Sequence, residues 1–396
     1  MKDTMAHNIH LGFLLMLFRK REVPSAYQEL RYLEEKPIEF NQDFKLVSYL
    51  KRDVGSYRLV PEYLNLKLHP DFGSKIIPQH NWGYSLNLSN CNTVDDYLEQ
   101  QFKSKYRSIV RRYVKRLEAC FDIRYAFHYG TLERDVYESI MDSLQKMIEK
   151  RFQQRNEVHK ENVYWQSIKE ESLRLIHNQE ASLFVIYANE EPIEISLNYH
   201  FDKILFSSVS SYDIDYAKFG LGHIEIYKQL EWCLQNGYKI FEMGVGGMDY
   251  KRRWSNQIYQ FQHHIVFPAE KKNSVLTLFE WYKIKLKEYL KSKGINDKLE
   301  ILKLKITKRL SKENNTSPLE LEVGPISPVE SIQDYIEVDW QNDTYWFLRK
   351  PINDFLYTSV EHYSQIGVMQ SKTDGNSYLF LGRKQMQQVS FYNMAK

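Results

Sequence analysis

The chain has 396 residues, 43% of them hydrophobic and 14% aromatic, and its Lys and Arg nearly cancel its Asp and Glu to leave a net charge of +3. That length exceeds one typical core, and that apolar content excludes an extensively disordered chain. Near-neutral charge gives no support to DNA binding by the molecule as a whole, so any electrostatic footprint has to be local.

In chain order, the apolar run Leu11 to Phe18 is too short to span a bilayer, and its basic cluster Arg19-Lys20-Arg21 follows the run instead of preceding it. It reads as a terminal helix packed on the body, with surface association with a membrane as the competing reading. Residues 38 to 88 read as strands at Phe44 to Leu50, Tyr57 to Val60, Tyr63 to Leu68 and Tyr84 to Leu88, with a turn at Asp71-Phe72-Gly73. Thr93 and Asp96 form a capping-box start for one long amphipathic helix on which Leu98, Phe102, Tyr106, Ile109, Tyr113 and Leu117 recur. A strand at Phe121 to Phe127 follows. A helix then opens near Thr131 with a stripe of Tyr137, Ile140, Met141, Leu144, Met147 and Ile148, and another covers Glu161 to His177.

Hairpin-linked strands at Ser182 to Ala188, Ile193 to Phe201 and Ile204 to Ser210 then pass through a helix, His223 to Gln235, into a strand at Tyr238 to Met243. That last step is a βαβ unit, so the sheet is expected to be mixed. Ile258 to Phe267 reads as a further strand and Val275 to Leu310 as a basic helix. Residues 313 to 330 read as a linker, and the tail 331–396 as a small β-rich module. The fold class is α+β, with mostly antiparallel sheets flanked by helices. Cys91, Cys120 and Cys233 are isolated, fitting neither a disulfide framework nor a metal pair, and point to a reducing cytoplasm.

The richest chemistry lies between Lys203 and Trp254. Lys218-Phe219-Gly220-Leu221-Gly222-His223 is a glycine turn opening a helix, where unpaired N–H groups and the positive end of the helix dipole make a seat for phosphate or carboxylate. An ordinary surface turn is the competing reading. Gly244-Val245-Gly246-Gly247 does not complete a dinucleotide fingerprint, because Asp249 stands at the third glycine position. Asp249-Tyr250-Lys251-Arg252-Arg253-Trp254 offers cations and aromatics to grip an acidic or planar group, or else is a solvated turn with Tyr250 and Trp254 tucked inward. Glu242 lies in the apolar strand Ile240-Phe241-Glu242-Met243 and is either on the polar face or buried with a raised pKa suited to a general base. Glu194, Asp213 and Asp215 are further carboxylates, with Tyr212 and Tyr250 as proton donors. Lys103 to Arg116 carries seven basic residues and no acidic one, which invites an anionic partner. His263-His264 point to opposite faces, and His7 and His10 lack a third ligand, so no metal site is expected.

The order of basic helix, hairpin meander, Tyr212-Asp213 loop, Gly-x-Gly helix start and Glu242-Met243-Gly244 followed by Tyr250-Lys251-Arg252-Arg253-Trp254 resembles the acetyltransferase-like domain of CelD-type cellulose-biosynthesis proteins, relatives of the FemAB aminoacyl transferases in the GNAT superfamily. The resemblance covers about residues 40 to 270. Family members carry Asp-Phe-Gly in place of Glu242-Met243-Gly244 and Pro-Gly in place of Leu221-Gly222, and here the cation Lys218 stands one residue closer to the first glycine. The resemblance implies two GNAT-like halves, 1–125 (with the basic helix 93–119) and 126–270 (with the donor site), then a basic helical segment 271–312. It implies an N-acyltransferase in which acetyl-CoA or another acyl-CoA rests on Lys218, Gly220, Leu221, Gly222 and His223. The amine enters a groove between halves, Glu242 takes its proton, Tyr212 or Tyr250 protonates the thiolate, and Asp213, Asp249, Lys251, Arg252 and Trp254 hold a small-molecule or envelope-precursor acceptor. The FemAB branch implies aminoacyl-tRNA as an alternative donor, and a non-catalytic scaffold in polysaccharide or envelope assembly is the third reading.

Overall fold

In a computed structural model, residues 12–40, 45–47, 54–155, 165–246, 248–294, 319–328 and 334–393 are described. They divide into two units, each drawn from distant stretches: 1–90, 199–208 and 237–312 in the first, and 91–198, 209–236 and 313–396 in the second. The fold is mixed α+β with mostly antiparallel sheets.

The first unit is built on the 16-residue strand Phe72–Asn87, which pairs antiparallel with Gln257–Pro268 along most of its length and with Ile240–Val245 near its end. The turn read at Asp71-Phe72-Gly73 is present at Pro70-Asp71, but the strand begins at Phe72 and not at Tyr84, and that boundary is corrected. Gly73 and Gly83 are instead places where a cross-strand ring lies close against the backbone. Gly83 is the register partner of Tyr259, and Gly73 of Phe267. A Cβ on either would come within 2.3 Å and 2.8 Å of those rings. Gly55–Pro61 pairs with the far side of Gln257–Pro268. Ile204–Phe206 pairs parallel with Ile240–Glu242, as the βαβ pattern requires. Val54, Ile77, Ile265, Phe267 and Ile284 form a core beneath the sheet.

The N-terminal apolar run is a short helix, Phe13–Leu15, followed by a π-turn, Met16–Lys20, with Phe13, Leu17 and Phe18 fully buried. Phe18 packs on Phe201 and Phe206 with ring centroids 5.6 Å and 5.5 Å away. Among the described residues no helix is long and apolar enough to cross a membrane. The helix expected over Val275 to Leu310 is present as Val275–Ser292, started by Ser274, whose side chain accepts from the Thr277 N–H. Residues 295–310 of that expectation lie outside the described residues, as do 161–164 of the helix observed as Trp165–His177.

In the second unit the capping box forms as read. Thr93 Oγ1 accepts from the Asp96 N–H, and Asp96 accepts from the Thr93 N–H. The single long helix does not. Phe102 and Lys103 are extended and divide it into Val94–Gln101 and Ser104–Cys120. Phe102 is buried at this break. The stripe on Arg134–Gln154 is buried at all six expected positions. Ile123–His128 pairs antiparallel with Ala181–Ala188, a strand buried at every residue, and Glu191–Phe201 lies beside that.

The expected linker is corrected over its described part. Leu319–Pro328 is a strand, at the edge of a five-stranded sheet ordered with Gln385–Asn393, Ser377–Leu381, Gly367–Ser371 and Tyr335–Glu337. Nor is the tail independent of what precedes it. Leu348, Ile352, Phe355, Val368 and Phe380 share one buried cluster with Leu117, Phe121, Phe184, Phe219 and Ile224.

Candidate active site

Every residue from Ile240 to Gly244 is buried, so Glu242 has no polar face to turn towards and its carboxyl is fully enclosed in the first unit. Three donors meet it. Tyr63 Oη donates to Oε2 at 2.9 Å, Tyr259 Oη donates to the same oxygen at 2.8 Å, and the Gly244 N–H donates to Oε1 at 2.6 Å. Gly244 presents that N–H from a left-handed conformation (φ 69°), in a strand whose register shifts between Glu242 and Val245. Burial raises the Glu242 pKa to about 7, against the lowering pull of the Tyr259, Gly244 and Tyr63 hydrogen bonds and the Lys251 charge. Of the two sequence readings of Glu242, the structure selects the buried one.

Tyr63 and Tyr259 were not among the residues read from sequence. Their rings meet edge to face at 5.0 Å, and burial followed by the Glu242 charge raises both phenol pKa values well above normal. Tyr63 is half-buried as a residue, and Glu242 is closed off.

The residues Asp249–Trp254 form a short helix in place of the solvated turn that was one of the two readings of this cluster. Lys251 bends back so that Nζ donates to the Met243 carbonyl at 2.8 Å, beside the Glu242 strand. Tyr250 is half-buried, and Asp249 and Arg252 are exposed. Trp254 is 0% exposed and serves as core, so its ring has no face for stacking a ligand. Gly247 lies outside the described residues.

The expected donor and loop residues all fall in the second unit. Gly220 is left-handed (φ 69°, ψ 41°) and caps the helix Leu221–Gln235, with the Tyr113 ring 3.0 Å from where a Cβ would stand. The turn satisfies part of itself. The Gly220 N–H donates to the Ala217 carbonyl, and the His223 and Ile224 N–H groups donate to the Gly220 carbonyl. The Leu221 and Gly222 N–H groups meet no acceptor among the described residues, which leaves two donors at the positive helix end. That fits one anionic group, on a narrower seat than the sequence reading drew. The His223 imidazole stacks on Tyr113 at 5.4 Å.

Lys218 is engaged elsewhere. Its Nζ donates to the Asp354 carbonyl at 3.4 Å and Thr358 Oγ1 at 3.1 Å. Asp213 is 6% exposed, caps the turn Ile214–Phe219 and pairs with Arg349 at 3.3 Å, so its carboxylate is structural. Tyr212 lies under the Arg151 guanidinium at 4.7 Å. Glu194 is fully buried beside Glu225. Burial, then the Glu225 charge, pushes its pKa well above normal.

The imidazoles of His263 and His264 point apart, to Ser56 Oγ and Tyr27 Oη. Among the described residues no group of His, Cys, Asp and Glu could hold a metal ion.

The first unit carries a neutral-range carboxyl at its parallel strand pair, and the second carries a helix opened by a left-handed glycine, within an α+β fold. Residues 104–252 match the family model of the acetyltransferase (GNAT) domain. A search of the curated proteins finds no match. Solved structures similar to the chain include a conserved protein of unknown function from Bacteroides thetaiotaomicron, at 10% identity and TM-score 0.34, covering 50% of this chain and 63% of that one. FemX matches at 11% identity and TM-score 0.37, covering 49% and 65%. L-PGS from Bacillus licheniformis matches at 12% identity and TM-score 0.34, covering 54% and 67%. The chain thus spans less than two thirds of the first two, and likeness at this level carries neither substrate nor mechanism across.

Proposed function

We propose that the protein is an N-acyltransferase that moves an acyl group from acyl-CoA to an amine, with Glu242 as the base. The observation that carries this reading is an enclosed carboxyl with a pKa of about 7, hydrogen-bonded to a half-buried tyrosine. At neutral pH such a group is present in both protonation states, the condition under which a base works best. Because Glu242 is closed off, the amine proton passes to Tyr63 Oη as the Tyr63 proton passes to Glu242 Oε2. The amine nitrogen forms a bond to the thioester carbonyl, the C–S bond breaks, and the thiolate is protonated, a role assigned to Tyr250 or Tyr212. The donor's phosphates are assigned to the Leu221 and Gly222 amides, and an acidic part of the acceptor to Lys251 and Arg252.

Thermal shift with acetyl-CoA and longer acyl-CoAs tests donor binding, where a ligand at a hundredfold its Kd adds about 2.7 kcal/mol. No shift with any acyl-CoA rejects the donor assignment. Thiol release over a panel of amines then tests the chemistry. The tyrosines give a sharper check. Tyr259→Phe removes a hydrogen bond that lowers the Glu242 pKa, so the acidic limb of the rate profile should move to higher pH, and Tyr63→Phe should do the same while also cutting turnover by breaking the relay. A profile unmoved in both variants rules out Glu242 as the titrating base.

A second reading, with aminoacyl-tRNA as donor, is supported by the basic helix. Arg111 pairs with Asp95, Arg116 donates to the Tyr357 carbonyl and Arg107 to that of Phe102. Lys103, Lys105, Arg112 and Lys115 are exposed and have no partner among the described residues. Lys105 and Arg112 lie two turns apart on one face. Filter retention of tRNA at rising salt separates the donors: RNA contact through those side chains gives a steep loss of affinity with salt, with a slope of about −0.7 per phosphate neutralised.

A further inference from the structure

Apart from the residues discussed above, the second unit holds a cavity of about 310 Å³ where the turn after Ala188 meets the C-terminal segment. That volume is at the small end of ligand pockets, which run from about 300 to 1,000 Å³. Trp346 stands at it 76% exposed and meets the Phe347 ring edge-on at 90°. An indole left open to water has no packing role that accounts for it. Deeper in, Trp340 is set edge to face on Tyr363 at 5.1 Å.

Four side-chain amides line the same space, each with one end tied to protein and the other unpartnered among the described residues. Asn189 Oδ1 accepts the Asp122 N–H, and Asn342 Oδ1 accepts from the Thr344 N–H and Oγ1, leaving two NH2 groups as donors. Asn353 Nδ2 donates to the Asp215 carbonyl and Gln341 Nε2 to Tyr363 Oη, leaving two amide oxygens as acceptors. The anchored ends fix which way each amide faces. Arg349 also lines the cavity, but Glu191 at 2.8 Å and Asp213 at 3.3 Å neutralise it, so an anion gains little there.

We infer that this cavity binds a neutral saccharide, with a sugar ring stacked on Trp346 and its hydroxyls hydrogen-bonded to Asn189, Gln341, Asn342 and Asn353. Hydroxyl groups both donate and accept, which suits a lining that offers two of each, and the polarised C–H face of a pyranose suits the negative face of an indole. An organic cation would also favour the aromatic rings. It would leave the four oriented amides without hydrogen-bonding partners from the ligand, which disfavours it.

Isothermal titration of the full chain with cellobiose, maltose and di-N-acetylchitobiose, with choline chloride as a control, tests this. At least one disaccharide should bind saturably, and Trp346→Ala and Asn342→Ala should each weaken it by about tenfold or more. Trp346 is exposed, so its removal leaves the fold in place, as circular dichroism would verify. Absence of binding by all three disaccharides overturns the inference, and so does saturable choline binding that Trp346→Ala abolishes. The readout is binding alone, so it stands or falls separately from the transferase reading.

Discussion

Glu242→Gln should reduce turnover by about two to four orders of magnitude and at the same time make the protein more stable above neutral pH. The two effects share one cause. The folded state raises the Glu242 pKa from 4.5 to about 7, so between those values the native protein holds a proton that the unfolded chain has released. Stability from this group is fully present below pH 4.5 and falls as pH rises through 7, by about 3 kcal/mol in all. Glutamine carries no charge and escapes that loss. Urea unfolding of both proteins at pH 5 and pH 8 checks the sign, with the gap between variant and wild type widening at pH 8. Thiol release against pH checks the rate, with wild-type activity rising through about pH 7 as the carboxylate forms. A Gln variant that keeps its activity within a few-fold would remove Glu242 from the chemistry.

Gly83→Ala should disturb the same group from the opposite strand. An added Cβ would stand 2.3 Å from Tyr259 Cζ and 2.6 Å from its hydroxyl oxygen, so the ring has to move, and the hydroxyl that donates to Glu242 moves with it. Overpacking of this kind costs about 1–3 kcal/mol. The variant should therefore lose stability and show an acidic limb shifted to higher pH, as Tyr259→Phe does. Gly237→Ala is the control: its φ is 72° but nothing lies within 4 Å of the new Cβ. It should cost about 1–2 kcal/mol of backbone strain and leave the pH profile in place. Equal pH profiles for the two alanine variants would refute the coupling through Tyr259.

What could be read from the sequence was local periodicity. The stripe on Arg134–Gln154, the Thr93 capping box and the parallel Ile204/Ile240 step all follow from spacing within a few residues or one supersecondary unit. Phe72–Asn87 was hidden because Gly73, Pro78 and Gly83 are turn-formers by composition, and what makes them strand residues is a partner nearly two hundred positions away. Leu319–Pro328 was hidden by its own Gly and Pro, although Leu319, Leu321 and Val323 alternate with Glu320 and Glu322.

The site divides in the same way. Glu242 was visible as an acid in an apolar strand, but only burial on both sides decides its state. Tyr63 carries no local signal, being 179 residues from the carboxyl it serves. Lys218 looked like a free cation because its partners, Asp354 and Thr358, lie far along the chain.

The interlocked core of the second unit bears on how the protein is made. Leu117, Phe184 and Ile224 leave the ribosome well before Leu348, Phe355 and Phe380, yet all belong to one buried cluster. Until the later segment emerges, the earlier one presents an uncovered greasy surface, so this half of the molecule completes its core late in synthesis.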